Sequence, residues 1–427
     1  MSDAALPLFP NAAGPDPVAL ARELALEAAP GHFDELRDPD ADGALRPQWA
    51  RFFSHVGLDG VGELNRRTQS LARQIRDNGV TYNVYADENG AQRPWSLDLF
   101  PLLVTPQDWA AVEAGVLQRT RLLNGMMADL YGPQTLLQRG LLPSALVHGH
   151  PGYMRAMQGV VPCGNTWLNV AAFDLARGPD GDWRVVSQRT QAPSGLGYLL
   201  ENRIAIARQF PKAFAGLKVQ RLGASYQALV RGIRAMAPGG EQARIALLTP
   251  GPHNETYFEH AYLARYLGLT LVEGSDLTVR DSRLFLKTLN GLEPVDALIK
   301  RLDDEWLDPL ELRSDSTLGI PGLLQVLRAG NLLLANAPGS ADVKLYQENL
   351  AKAGLAVQVW AVLAPCAVLC MHQPHCGRFA SLACGHRGLG VHSGVQMAAS
   401  IGTPAGLSWS ALGFRFERSS CAWRSTK

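Results

Sequence analysis

Three polar runs in this chain have residue types suited to chemistry, and each follows a short apolar run. Pro250-Gly251-Pro252-His253-Asn254-Glu255-Thr256 follows Ile245-Ala246-Leu247-Leu248, Glu273-Gly274-Ser275-Asp276 follows Leu269–Val272, and Lys300-Arg301-Leu302-Asp303-Asp304 closes a third. If the apolar runs are parallel strands, the polar runs lie at their carboxyl ends, where open α/β sheets bind ligands. Asn254, Glu255, Glu273, Arg301 and Asp303 would then line a polar cleft. Arg301 suits a carboxylate, and the acids suit an amine or a metal. Solvated loop ends would show the same composition, and the two readings weigh evenly.

A fourth segment, Gln188 to Tyr198, offers Ser194, Gly195 and Gly197 just before a helix. Free N–H groups at a helix N-terminus can hold a phosphate, so these three are the candidate cofactor contacts. Leu200 stands where a dinucleotide fingerprint needs its third glycine, and a P-loop lysine is missing, so a tight structural turn is the plainer reading. Glu201, Asn202 and Arg203 open the next helix, but helical neighbours point about 100° apart and all three cannot face one ligand.

A hydrolase reading fails on the motifs. There is no GxSxG elbow, no HExxH pair, and no local signature around Cys163. The cysteine and histidine cluster of the tail, Cys366, Cys370, His372, His375, Cys376, Cys384, His386 and His392 (a fifth cysteine, Cys421, lies further on), lacks the paired CxxC spacing of structural zinc sites.

Positioning these residues requires elements of two kinds. Helical spacing covers 17–29, 48–77 and 106–140; Gly79 fits a helix C-cap, with a strand at Val80–Tyr85 and a turn at Asp87–Gly90. Thr166–Leu175 and Trp183–Ser187 read as a hairpin around Gly178-Pro179-Asp180-Gly181, with a helix through 199–210. From Arg244 onward short apolar strands alternate with helices, one N-capped by Asn254 and closed by Gly268, and Arg283–Leu289 and Ala297–Leu302 are further strand candidates. Such alternation implies a mainly parallel sheet. The fold class is α/β, with an α+β front half.

Composition bounds the rest. A length of 427 residues with 47% hydrophobic and 19% charged side chains excludes disorder, collagen and coiled coil, and suggests two or three domains. A formal charge of +1 gives no basic field for nucleic acid. The charge is uneven: after Glu348 one acid, Glu417, stands against seven basic side chains, +6, which leaves −5 for residues 1–348. Five of six cysteines also lie beyond Glu348. The start lacks a signal-peptide pattern, and one cysteine in the first 348 residues fits a reducing cytoplasm. The uncharged run Ala353–Met371 contains Gln358 and the central Pro365 and is flanked by no cluster of Lys or Arg, so no membrane span is expected.

Several long motifs resemble the circularly permuted ATP-grasp family, type 2: Gly79–Tyr85, Arg93–Asp98, Asp129-Leu130-Tyr131-Gly132-Pro133-Gln134, Arg189–Gly195, Leu200–Arg203, Leu248–His260 and Pro294–Asp304. The resemblance covers about residues 45–340. It implies a flexible segment at 1–45, a permuted ATP-grasp portion at 46–240, and a Rossmann-like pre-ATP-grasp domain at 241–340. An atypical, poorly ordered tail at 341–427 would follow. Active relatives look like carboxylate–amine ligases using ATP and Mg²⁺ in a peptide synthesis or modification system with alpha-E and transglutaminase-like partners. In that active reading Asp174 and Glu201 hold Mg²⁺ while Ser194, Gly195 and Gly197 lie near the phosphates.

Two departures from the family pattern favour a degenerate member that binds a carboxylate or amine substrate without turnover. Where active-looking relatives carry Glu-Asp-Asn before Pro-Ser-Gly, this chain has Ser187, Gln188 and Arg189, which exchanges a hard ligand for a hydroxyl and an amide for a cation. The resemblance also stops after Ser340, where a nucleotide-binding lysine is due, as expected of a replaced or frameshifted end.

Overall fold

A computed structural model describes residues 16–25, 28, 30–83, 92–340 and 394–400. In chain order the front half runs α1 (Pro17–Leu24), β1 (Arg37–Asp38), β2 (Ala44–Leu45), α2 (Pro47–Gly62), α3 (Leu64–Asp77), β3 (Thr81–Asn83), β4 (Gln92–Pro94), α4 (Pro106–Leu130), α5 (Thr135–Gln138) and α6 (Ser144–His148). It continues with β5 (Val170–Arg177), β6 (Trp183–Arg189), α7 (Leu196–Gln209), α8 (Pro211–Gly216) and α9 (Gly223–Met236). The back half holds β7 (Ile245–Leu248), α10 (Tyr257–Leu267), β8 (Thr270–Val272), β9 (Leu277–Arg280), β10 (Arg283–Thr288), β11 (Gly291–Val295), β12 (Ala297–Lys300), α11 (Leu323–Arg328), β13 (Leu333–Ala335) and β14 (Gly394–Ser400).

The expected parallel sheet is present, in the order β13-β12-β7-β8 with every pair parallel. Its strands read as unbroken apolar runs because both faces are covered. Ala246, Leu248, Leu298 and Leu334 enter one core, while Ile245, Leu247, Ala297, Ile299, Leu333 and Ala335 enter the other. Arg283–Thr288 is indeed a strand, but it belongs to a separate antiparallel meander, β11-β10-β9. Short loops join its three strands, and such loops permit only antiparallel neighbours.

The 48–77 helical stretch is two helices, with Gly57 (φ 72°) outside helical geometry inside α2. These pack an aromatic core of Trp49, Phe52, Phe53, Phe100 and Phe210. Gly79 has φ 65°, as a C-cap requires. β3 pairs with β4; the turn at Asp87–Gly90 lies outside the described residues. Asn254 does not cap α10. Its Oδ1 accepts from the backbone N–H and hydroxyl of Thr256, and Thr256 becomes the helix N-cap. The short Asx-turn competes successfully with the helix there.

The β5–β6 hairpin gains a third strand from the tail: β14 runs antiparallel along β5 from Gly394↔Ala176 to Ser400↔Val170. The tail's cysteines and histidines and the run Ala353–Met371 lie outside the described residues. Among the described residues no helix is long and apolar enough to cross a membrane.

Candidate functional site

The carboxyl ends of the parallel strands meet the segment from Thr190 to Gly197, which links β6 to α7. After β12, Lys300 donates to the Gln191 carbonyl at 2.8 Å and Arg301 donates through Nη1 to the Pro193 carbonyl. After β13, Asn336 Nδ2 donates to the carbonyls of Thr190 and Val170, while its Oδ1 accepts from Asn169 and Val170 N–H. From α10, Glu259 accepts the N–H groups of Gly195 and Gly197 at 2.8–3.1 Å. The place where an open α/β sheet receives a ligand thus grips a loop of its own chain.

Charge is balanced inside this grip. Lys300 and Asp304, both fully buried, pair at 2.5 Å, and Asp304 also accepts the Gly339 N–H. Burial pulls the Arg301 pKa down, and the nearby Glu259 opposes that shift. Gly197 allows the close approach of α7 to α10: a Cβ there would lie 2.8 Å from Glu259 Cγ and 3.1 Å from its carbonyl oxygen.

The structure therefore places the sequence-predicted residues in several groups. Gly195 and Gly197 present N–H groups as expected, but to Glu259 rather than to solvent. Ser194 sits half-buried between them and Pro193. Arg301 lies in the interior, where Nη1 donates to the Pro193 carbonyl and the charge of Glu259 acts on it. Glu255, Glu273 and Asp303 are exposed, and Asn254 is half-buried in its turn. Surrounding protein raises the Asp303 pKa, Lys300 opposes the shift, and Asp304, Glu305 and Glu255 add to it. The strand ends consequently expose carboxylates while their cations lie beneath. Chemically, that surface suits an amine better than a carboxylate.

The two metal candidates are not brought together. Asp174 on β5 faces Ser187 and Arg189 on β6: Ser187 donates to Oδ2, and Arg189 Nη2 stands 2.6 Å from Oδ1. Glu201 is buried on α7, where Asn78 donates to it at 2.5 Å and the hydroxyl of Tyr262 is hydrogen-bonded to it. Next to it, Asn202 accepts from Trp95 Nε1. Among the described residues no group of three or more His, Cys, Asp or Glu side chains is placed to hold a metal ion. A divalent cation needs several hard oxygen donors on one centre, and Asp174 and Glu201 do not fit that need.

Sequence reasoning missed Glu259, Lys300 and Asn336 as the residues that hold the loop. Lys300 read only as part of the polar run that closes a strand. The available signal was a charged residue directly abutting a fully apolar strand, since such a residue starts in the core and needs a partner.

A parallel sheet covered by helices, together with the antiparallel hairpin and its loop, defines a mixed α/β protein. The sequence pattern of the circularly permuted ATP-grasp type 2 family matches residues 101–345, and the chain belongs to that family. It is 37% identical over 309 residues to the uncharacterized protein Rv2411c of Mycobacterium tuberculosis, covering 72% of this chain and 55% of that one. It is also 37% identical over 320 residues to the uncharacterized protein sll0335 of Synechocystis, covering 74% and 66%. A third relative, the uncharacterized protein Rv2567 of Mycobacterium tuberculosis, shares 38% over 317 residues, or 72% and 36%. The chain spans between about one third and two thirds of the length of these curated relatives. Among solved structures, a glutathione synthetase-like effector from Globodera pallida aligns with a TM-score of 0.43 and 15% identity, covering 72% of this chain and 70% of that one.

Proposed function

We propose that this chain is a catalytically degenerate member of its ligase-like family, acting as a binding or scaffold component of a peptide synthesis or modification system in the cytoplasm. The observation that carries the reading is the Asp174–Arg189 pair at 2.6 Å. ATP-grasp chemistry uses ATP with Mg²⁺, and here the acid best placed for the cation faces a guanidinium instead. The exposed acids Glu255, Glu273 and Asp303 remain available to a substrate amine. Alpha-E and transglutaminase-like proteins are the partners proposed for it.

The test is nucleotide turnover. Purified protein with ATP, Mg²⁺ and a panel of amines and carboxylates is expected to release no ADP above a protein-free blank. ADP release that depends on both Mg²⁺ and Asp174 would establish an active carboxylate–amine ligase instead.

A further inference from the structure

The β5–β6 hairpin carries a cation of its own. Its register pairs Asp174 with Ser187 and Ala172 with Arg189, and a shift between Asp174 and Leu175 leaves Val186 outside the ladder, 66% exposed. A bulge re-aims the side chains that follow it. Strand alternation then puts Asp174, Ser187 and Arg189 on one face, opposite the face where Phe173 and Leu175 enter the core. Both carboxylate oxygens of Asp174 are engaged, Oδ2 by the Ser187 hydroxyl and Oδ1 by Arg189 Nη2 at 2.6 Å. Both charged side chains keep solvent contact, 36% for Asp174 and 43% for Arg189. A hydrated ion could reach this carboxylate, and the group found against it is a guanidinium.

We propose that Arg189 is a built-in surrogate for a divalent cation at Asp174, so that this hairpin face holds its charge balance without metal and responds neither to Mg²⁺ nor to a chelator. A guanidinium supplies one positive charge permanently, because it does not deprotonate in proteins. It also blocks a metal in two ways: it covers one carboxylate oxygen, and it repels any incoming cation. Ser187 completes the arrangement, since a hydroxyl bonded to Asp174 brings no second negative charge. Removing the surrogate and adding an acid at the paired position should open a cation site on the same backbone. This inference rests on the degenerate reading but makes a separate claim, about what Arg189 replaces.

The test compares the intact protein, the Ser187→Glu/Arg189→Asn variant, and that variant with Asp174→Asn added, using Mn²⁺ alone as the probe. Electron paramagnetic resonance reads free Mn²⁺, and thermal melting with Mn²⁺ or a chelator provides a second readout. The intact protein is expected to bind no Mn²⁺ saturably and to melt at one temperature in both conditions. The double variant is expected to bind about tenfold or more tightly than the parent, given how strongly ligand charge tunes such sites. Adding Asp174→Asn should abolish the gain. Arg189→Ala alone, a solvent-contacting change, covers the case in which the double variant does not fold, and it should show a weaker gain of the same kind. Saturable Mn²⁺ binding by the intact protein that Asp174→Asn removes would overturn both this inference and the degenerate reading. A folded double variant and a folded Arg189→Ala that bind no better than the parent would overturn the inference alone, leaving the turnover result to decide the function.

Discussion

The carboxylate of Glu259 accepts the backbone N–H of Gly195 with both oxygens, at 2.8 and 2.9 Å, and through Oε1 also that of Gly197 at 3.1 Å. The N-terminus of α7 therefore has an anion of its own, supplied by the first turn of α10. An acid at a helix N-terminus is favoured by the helix dipole, and this one is fully buried beside Arg301. Glu259→Ala would orphan two N–H groups and remove a negative charge that acts on Arg301. The expected loss is about 2–6 kcal/mol, since each orphaned buried N–H costs about 1–3 kcal/mol. Glu259→Gln keeps an acceptor and should lose less. Urea unfolding of the two variants checks the order, and an equal loss in both would mean that charge is irrelevant there.

Gly197 makes that contact possible. A Cβ at this position would stand 2.8 Å from Glu259 Cγ, so Gly197→Ala must push α10 from α7 or bend Glu259 away from its N–H donors. Overpacking of this kind costs about 1–3 kcal/mol. Gly195 is different: its φ of 119° is itself unfavourable for other residues, so Gly195→Ala should cost stability through backbone strain. A melting temperature for Gly197→Ala equal to that of the parent would show that the helices have slack.

Lys300 and Asp304 form a pair with no solvent contact, and their other bonds go to the Gln191 carbonyl and the Gly339 N–H. Replacing one member leaves a buried charge unpaired. Lys300→Met and Asp304→Leu should each cost about 3–5 kcal/mol, whereas the double variant should recover much of that loss, because paired apolar replacements of buried ions are often near neutral. A double-mutant cycle measures the coupling. Simple additivity of the two single losses would refute the pairing as an energetic unit.

Much of the frame was legible in the sequence. Ile245–Leu248, Thr270–Val272 and Ala297–Lys300 are strands because β-rich apolar runs of that length have few other ways to bury both faces. The grouping of site residues was less legible. Which way Arg301 turns depends on strand pleat and on the loop at Pro193, and neither is local to Arg301. The departure at Ser187–Arg189 could be read directly, but that Arg189 would fold back onto Asp174 depended on hairpin register and on the bulge at Val186. Charged residues near a strand end look alike in sequence, whether they enter the core, as Lys300 does, or face water, as Asp303 does.

His260, next to Glu259 on α10, gives the grip a pH dependence. The ring is almost fully buried, with Nδ1 2.9 Å from Thr249 Oγ1 and Nε2 3.1 Å from Thr256 Oγ1. Burial first, and the Arg301 charge second, push its pKa from 6.5 down to about 3. Between those two values the unfolded chain binds the proton and the folded chain does not, so stability rises with pH across that window. The contribution is complete above pH 6.5 and is lost as the pH falls toward 3. A single group can supply a slope of at most about 1.4 kcal/mol per pH unit. His260→Gln, which cannot take up the proton, should flatten the dependence of urea stability between about pH 7 and pH 5. Parallel pH curves for parent and variant would show that the imidazole is not the group responsible.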